Sequence, residues 1–146
     1  MTACIFFSLF TVQIAIATAP LSTAGTTPVV VSTHKPLTPR EIVSVKSKEY
    51  GVSENLMVDV ISCENVSWDT TLQSKIKYNF NDPRRGIVFG EREKSYGLVQ
   101  IHLPDHPHVS YEQATDPEFS IDFMAKNIAE GRLSWWSCAK LLGYVH

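Results

Sequence analysis

No Asp, Glu, Lys or Arg precedes Lys35: the thirteen basic and fifteen acidic residues of this 146-residue chain all fall after His34. That asymmetry separates an uncharged leading stretch from a following part that is roughly a quarter charged, the balance of a soluble globular domain. The charged part is long enough for one domain with a small core, and too short for two. A hydrophobic content of 44% excludes disorder. A formal net charge of −2 leaves no overall basic footprint, so neither nucleic acid nor an acidic membrane surface is an expected partner, and a monomer is expected.

Residues 1–24 read as a signal peptide or an N-terminal anchor. The apolar run from Cys4 to Ala17, with Phe6, Phe7, Leu9 and Phe10 at its centre, is shorter than the roughly 20 residues of a membrane span. Ala17-Thr18-Ala19 and Ser22-Thr23-Ala24 offer small-residue cleavage sites. The segment before the apolar run has no Lys or Arg and Pro20 follows the first site, so an uncleaved anchor stands beside the cleaved signal as an alternative. Either reading exports the domain. Residues 25–37 are rich in Thr, Ser, Pro and Val and read as a linker, with the folded domain over residues 38–146. Once Cys4 is assigned to the leading segment, Cys63 and Cys138 remain as an even pair in an oxidising compartment, where a disulfide is the default. A nucleophilic Cys63 would require a reducing location and carries little weight.

The domain reads as mainly helical with a minor hairpin. Thr38-Pro39-Arg40-Glu41 is a capping box with Pro at the first helical position. The helix it starts has Ile42, Val45 and Tyr50 as its apolar side and Gly51 as its stop. Ser53 caps a second helix with Leu56, Met57, Val60 and Ile61 on one stripe. Between Trp68 and Tyr96 the pattern breaks into turn chemistry, and Ile87-Val88-Phe89 before Gly90 suggests a strand of a small β-hairpin. Asp116-Pro117-Glu118 opens a further helix with Phe119, Ile121, Phe123, Met124 and Ile128 inward and Gly131 at its end. A last helix follows Ser134, carrying Trp135, Trp136, Cys138, Leu141 and Leu142.

One carboxylate falls on the wrong side of its helix for a solvated residue. Extending the stripe of Leu56, Met57, Val60 and Ile61 by a step of about 100° per residue reaches Glu64. A carboxyl group there is expected to be desolvated, which raises its pKa and keeps it protonated for donation to a leaving oxygen. The bland alternative is that the helix ends early and Glu64 turns to solvent or caps a neighbouring segment.

The residues around that position carry a resemblance. Cys63-Glu64-Asn65-Val66-Ser67-Trp68 resembles the Glu-Ser-plus-aromatic motif ending the catalytic helix of soluble lytic transglycosylase domains. Ser95-Tyr96-Gly97-Leu98-Val99-Gln100-Ile101 resembles that family's Gly-Leu-Met-Gln-Ile motif, and Thr115-Asp116-Pro117-Glu118-Phe119 its Asp-Pro helix start. Cys63 before the glutamate, with Trp136-Ser137-Cys138 near the end, is also similar to resuscitation-promoting factors. The resemblance spans about residues 39–140 and implies a lysozyme-like fold with a glycan groove, acting on the β-1,4 bond between N-acetylmuramic acid and N-acetylglucosamine of peptidoglycan. It implies Glu64 as the single catalytic acid and then base. It places Gln100, with the backbone around Leu98 and Val99, along the groove and Tyr96 beside them. Asn65 stands where the family has Ser and is expected to bond substrate or the glutamate. The interval from Glu64 to Gln100 is long, consistent with an inserted hairpin, and Leu142-Gly143-Tyr144 is too faint an echo of the family's late Tyr motif to be assigned.

Rival readings sharpen what needs testing. Glycoside hydrolysis ordinarily uses two carboxyl groups, so a hydrolytic muramidase would recruit one of Asp69, Asp82, Glu91 or Glu93, whereas a lytic transglycosylase needs Glu64 alone. Glu91-Arg92-Glu93-Lys94 alternates in sign and reads most simply as a solvated turn. His102, Asp105, His106 and His108 have the residue types of a metal site, but Pro104 and Pro107 break the helix that would align them; a polar surface loop is expected, with no metal or other cofactor. Trp135 and Trp136 point about 100° apart if helical, one packing near the Cys pair and the other partly exposed. The sequon Asn65-Val66-Ser67 is discounted, because a glycan there would block the groove. A second class, a non-catalytic cell-wall-binding module, has no use for a carboxylate on a buried stripe.

Overall fold

The computed structural model describes residues 35–146. The signal or anchor reading of residues 1–24 and most of the 25–37 linker lie outside the described residues; Lys35 to Leu37 are exposed and irregular. No helix among the described residues is long and apolar enough to cross a membrane.

Helix α1 (Pro39–Tyr50) begins at the expected box: the Thr38 hydroxyl accepts from the Glu41 amide while the Glu41 carboxylate accepts from the Thr38 amide. Gly51, at φ 66°, supplies the left-handed stop. Its buried side is Ile42, Val43 and Ser47, whereas Val45 is exposed, a rotation from the expected face that follows from α1 packing on both α4 and α2. Helix α2 (Glu54–Glu64) is capped by Ser53 and buries Met57, Val60 and Ile61 completely, each side chain contributing about 1.5–3 kcal/mol.

The stretch from Gln73 to Tyr96 is a hairpin arm held in register by three isolated bridges. Gln73 bridges Tyr96, Lys77 bridges Arg92 and Asp82 bridges Ile87, all antiparallel. Each pair lies symmetrically about the tip at Pro83–Arg85, a single 3₁₀ turn closed by Gly86. The expected hairpin thus exists, but Val88 and Phe89 are exposed and belong to no strand; Gly90, at φ 83°, and a turn from Glu91 back to Val88 interrupt the ladder there. The regular strands are the short pair β1 (Ser95–Tyr96) and β2 (Ile101–His102), antiparallel with Ser95 opposite His102.

Helix α3 (Tyr111–Thr115) is a short element that sequence reading missed, although Ser110 and Gln113 form its capping box. Helix α4 (Pro117–Ala129) starts at Asp116-Pro117 as expected and buries Ile121, Met124 and Ala125 against α1. The expected last helix is broken. A 3₁₀ turn over Leu133–Trp135 gives way to extended backbone at Trp136 before helix α5 (Ser137–Leu141), and Leu141 and Leu142 are exposed. The break puts the two tryptophans in different environments: Trp136 is 5% exposed, its indole N–H donating to the Val99 carbonyl at 2.8 Å, while Trp135 is 51% exposed. The core is one cluster from α1, α2, α4 and α5 around the Leu98–Ile101 turn.

Candidate active site

Helix α2 delivers Glu64 as its last residue, at the point where the buried stripe meets a groove of about 820 Å³. The side chain is half-buried, not enclosed as the stripe alone suggests, because α2 ends there and Asn65 leaves the helix. Immediately before it, Cys63 forms a disulfide with Cys138, joining α2 to α5 with a Cα–Cα distance of 5.8 Å. The bridge brings Ser137 and Cys138 onto the glutamate: Oε1 accepts from the Cys138 amide at 3.0 Å and from the Ser137 hydroxyl at 3.2 Å. Oε2 has no protein partner, and no buried side-chain oxygen or nitrogen among the described residues lacks one, so Oε2 is reached by solvent. One oxygen is anchored and the other is open.

Asn65 performs structural work in place of substrate contact. It is 0% exposed; its amide nitrogen donates to the Asp69 and Gly97 carbonyls and its oxygen accepts from the Ser67 hydroxyl and the Asp69 amide. It bonds neither the glutamate nor the groove, and its burial also removes it as a glycosylation acceptor.

Of the other expected groove residues, Gln100 lines the cavity. It holds the left-handed conformation at φ 53°, and its amide donates to the Gly97 carbonyl at 2.8 Å and to the Leu72 carbonyl at 3.2 Å. A non-glycine residue kept in this strained region by its neighbours is a common feature of functional turns. Leu98 and Val99 are fully buried in the core, and the Val99 carbonyl is taken by Trp136. Tyr96 is not among the groove-lining residues; its ring packs edge-to-face on Tyr111 with centroids 5.0 Å apart. The motif therefore builds the turn beneath the groove, with Gln100 as its contribution to the surface.

Much of the rest of the lining was not found from the sequence, although Glu93 was among the carboxylates weighed. The arm supplies Ser74, Ile76, Glu93 and Ser95. Glu93 is half-buried and accepts from the Ser74 hydroxyl at 3.1 Å and the Ser95 hydroxyl at 3.4 Å, while Arg92 turns back to donate to the Gln73 and Ser74 carbonyls. The Glu91–Lys94 run is consequently not a simple solvated turn; the alternation that suggested one is the two-residue period of an arm with one face on the groove. Of the remaining carboxylates weighed as a second group, Asp69 closes a turn with Thr71, Asp82 caps the arm's tip and pairs with Arg85, and Glu91 is exposed. Bonds from the Thr71 amide and hydroxyl hold Asp69 below the usual carboxylate range, and the Arg85 guanidinium does the same to Asp82.

His102, His106, Phe123 and Trp135 complete the lining. His102 Nδ1 meets Asp105 at 2.8 Å and its Nε2 meets the Tyr78 hydroxyl at 2.9 Å. Burial pushes the Asp105 carboxyl up, but bonds from His102 and Arg85 outweigh it and leave the group below its ordinary value. His106 packs edge-on against Phe123 and tilted on Trp135, with ring centroids 5.1 and 5.2 Å away; burial first, then the neighbouring His108, push its pKa down. Among the described residues no group of three or more His, Cys, Asp or Glu is arranged to hold a metal ion. The His-rich segment forms a wall of the groove, more than the polar surface loop expected of it.

The site thus combines a carboxyl group with one oxygen anchored, a second carboxyl group on the arm and an aromatic wall, an assembly that can transfer protons to a ligand in the groove. No family model, curated protein or solved structure matches this chain.

Proposed function

We propose that the domain is an exported lytic transglycosylase of lysozyme-like fold that cleaves the β-1,4 bond between N-acetylmuramic acid and N-acetylglucosamine in peptidoglycan strands. The observation that carries the reading is Glu64: a carboxyl group at the end of a core helix, anchored through Oε1 and open at Oε2, in the wall of a groove of about 820 Å³. In this reading Glu64 donates its proton to the glycosidic oxygen as the bond from that oxygen to the muramic C1 breaks. The substrate's N-acetyl oxygen assists at C1. The muramic C6 hydroxyl then forms its bond to C1 and returns its proton to Glu64, giving a 1,6-anhydro end. The disulfide supports an oxidising, extracytoplasmic location.

A hydrolytic reading has one observation in its favour. Glu93 lines the same groove, where two hydroxyls bond and position its carboxyl group as a second one facing the cavity. Mass spectrometry of muropeptides released from purified sacculi separates the two: anhydro-muramic ends are expected, and reducing ends would replace transglycosylation with hydrolysis. If sacculi bind with no release by wild type, the domain is a cell-wall-binding module.

A further inference from the structure

We infer that the tip of the hairpin arm is a docking surface for a bilayer containing anionic phospholipid, a role independent of the enzymatic reading. Between Lys75 and Arg92 the arm carries five Lys or Arg against Asp82 and Glu91, within a chain of formal net charge −2. The stretch is therefore net basic while the rest of the chain is net acidic. Lys75, Lys77 and Arg84 form no ion pair among the described residues.

Beside the tip lies a shallow pocket of about 420 Å³ lined by Arg84, Arg85 and Lys94 over Leu103, Pro104 and Pro107, with no carboxylate in its lining. Asp82 and Asp105 pair with Arg85, whereas the Lys94 side chain donates to the Gly86 carbonyl at 2.8 Å and has no carboxylate partner among the described residues. That is chemistry for a phosphate group. Next to it, Phe80, Val88 and Phe89 are 44%, 48% and 65% exposed.

The two observations select one partner. Cations alone would suit any polyanion; a phosphate polymer has no apolar layer to receive two phenylalanines and a valine, and a nucleic acid could stack bases on the rings but offers nothing to the aliphatic Val88. An anionic bilayer offers phosphates at its surface and acyl chains just beneath, and so has a partner for both the cations and the exposed apolar side chains. Each basic residue near such a surface is worth roughly a fivefold gain in partitioning.

Co-sedimentation of the full chain with phosphatidylglycerol–phosphatidylcholine vesicles tests this against phosphatidylcholine vesicles alone. The expected result is binding to the anionic vesicles that weakens with added salt. The double variant Phe80→Ser/Phe89→Ser should lose most of it, and Arg84→Glu should weaken it by roughly fivefold or more, both with wild-type melting temperatures. Residues 1–34 are common to all three proteins, so the differences belong to the arm. Equal binding to neutral vesicles, or unchanged binding of the double variant, would overturn the inference. So would equally tight capture of wild type and double variant by soluble polyphosphate, which would indicate a polyanion site. As a second measurement, Phe89→Trp should show a blue shift in the added tryptophan emission with anionic vesicles, and no shift overturns insertion.

Discussion

Helix α2 with Glu64 and the hairpin arm with Glu93 face one groove but are held by different forces. Around α2, Met57, Val60 and Ile61 are fully buried, and a covalent bridge fixes the end that carries the acid. The arm buries only Tyr78 and Ile87 among its larger apolar side chains. It is held by polar groups turned on its own backbone: Arg92 on the Gln73 and Ser74 carbonyls, Gln73 on the Glu93 carbonyl, and the Tyr78 hydroxyl accepting from the Lys94 amide. Hydrophobic burial gives a wall that resists displacement as a unit, whereas a ladder of partly solvated hydrogen bonds can open locally. The acid thus sits on the rigid side, and the groove's adjustable side is the arm.

Substitutions can separate the two sides. The largest effect is expected at Glu64: Glu64→Gln should lower muropeptide release by about 100- to 10,000-fold while sacculus binding and melting temperature stay at wild-type values. Equal activity would show that the rigid wall does not hold the acid. Next comes Gly97, the joint between the two walls, which sits at φ 81° where a Cβ would run into the Ala114 carbonyl oxygen of α3. Gly97→Ala should cost about 2–4 kcal/mol in denaturant unfolding. Replacing Cys63 and Cys138 by Ala should cost about 2–4 kcal/mol, since the bridge closes a loop of 75 residues, and should reduce cleavage more than Gly97→Ala does at equal folded fraction.

Arg92→Ala tests the arm alone. Amide hydrogen exchange should quicken between Gln73 and Tyr96 and stay unchanged in α2, with a global cost of about 1 kcal/mol. The smallest effect concerns pH. Burial holds His106 neutral where an unfolded imidazole, with a pKa of about 6.5, takes up a proton. The folded state should therefore lose stability as pH falls from about 7 through that value toward the depressed folded one. Melting temperatures at these pH values should converge further in His106→Gln than in wild type, and an identical pH dependence would remove His106 as the source.

The same contrast governs what could be read from the sequence. Helix starts rest on local chemistry, so Thr38, Ser53 and Asp116 announced α1, α2 and α4. The stripe ending at Glu64 and the pairing of Cys63 with Cys138 were equally legible, one from periodicity and the other from parity. The arm was legible only as a hairpin, because its register is set by side chains bonding main chain across some twenty residues, which no alternation of apolar residues records. Glu93 was named as one of four candidate carboxylates but could not be singled out, for that reason. The extended residue at Trp136 was hidden because the indole's partner, the Val99 carbonyl, is distant in the chain. Ser110 with Gln113 was a legible cap for α3 that a preference for longer helices passed over.

The disulfide has a consequence beyond holding two helices together. Cys63 is the neighbour of Glu64, and the amide that anchors Glu64 belongs to Cys138 itself. Holding the two helices together and holding Oε1 therefore share one residue, Cys138. Under the proposed function, opening the bridge with a reductant should loosen the socket of Glu64 together with the joint between α2 and α5, which makes the redox state of the surroundings a control on how the glutamate is seated.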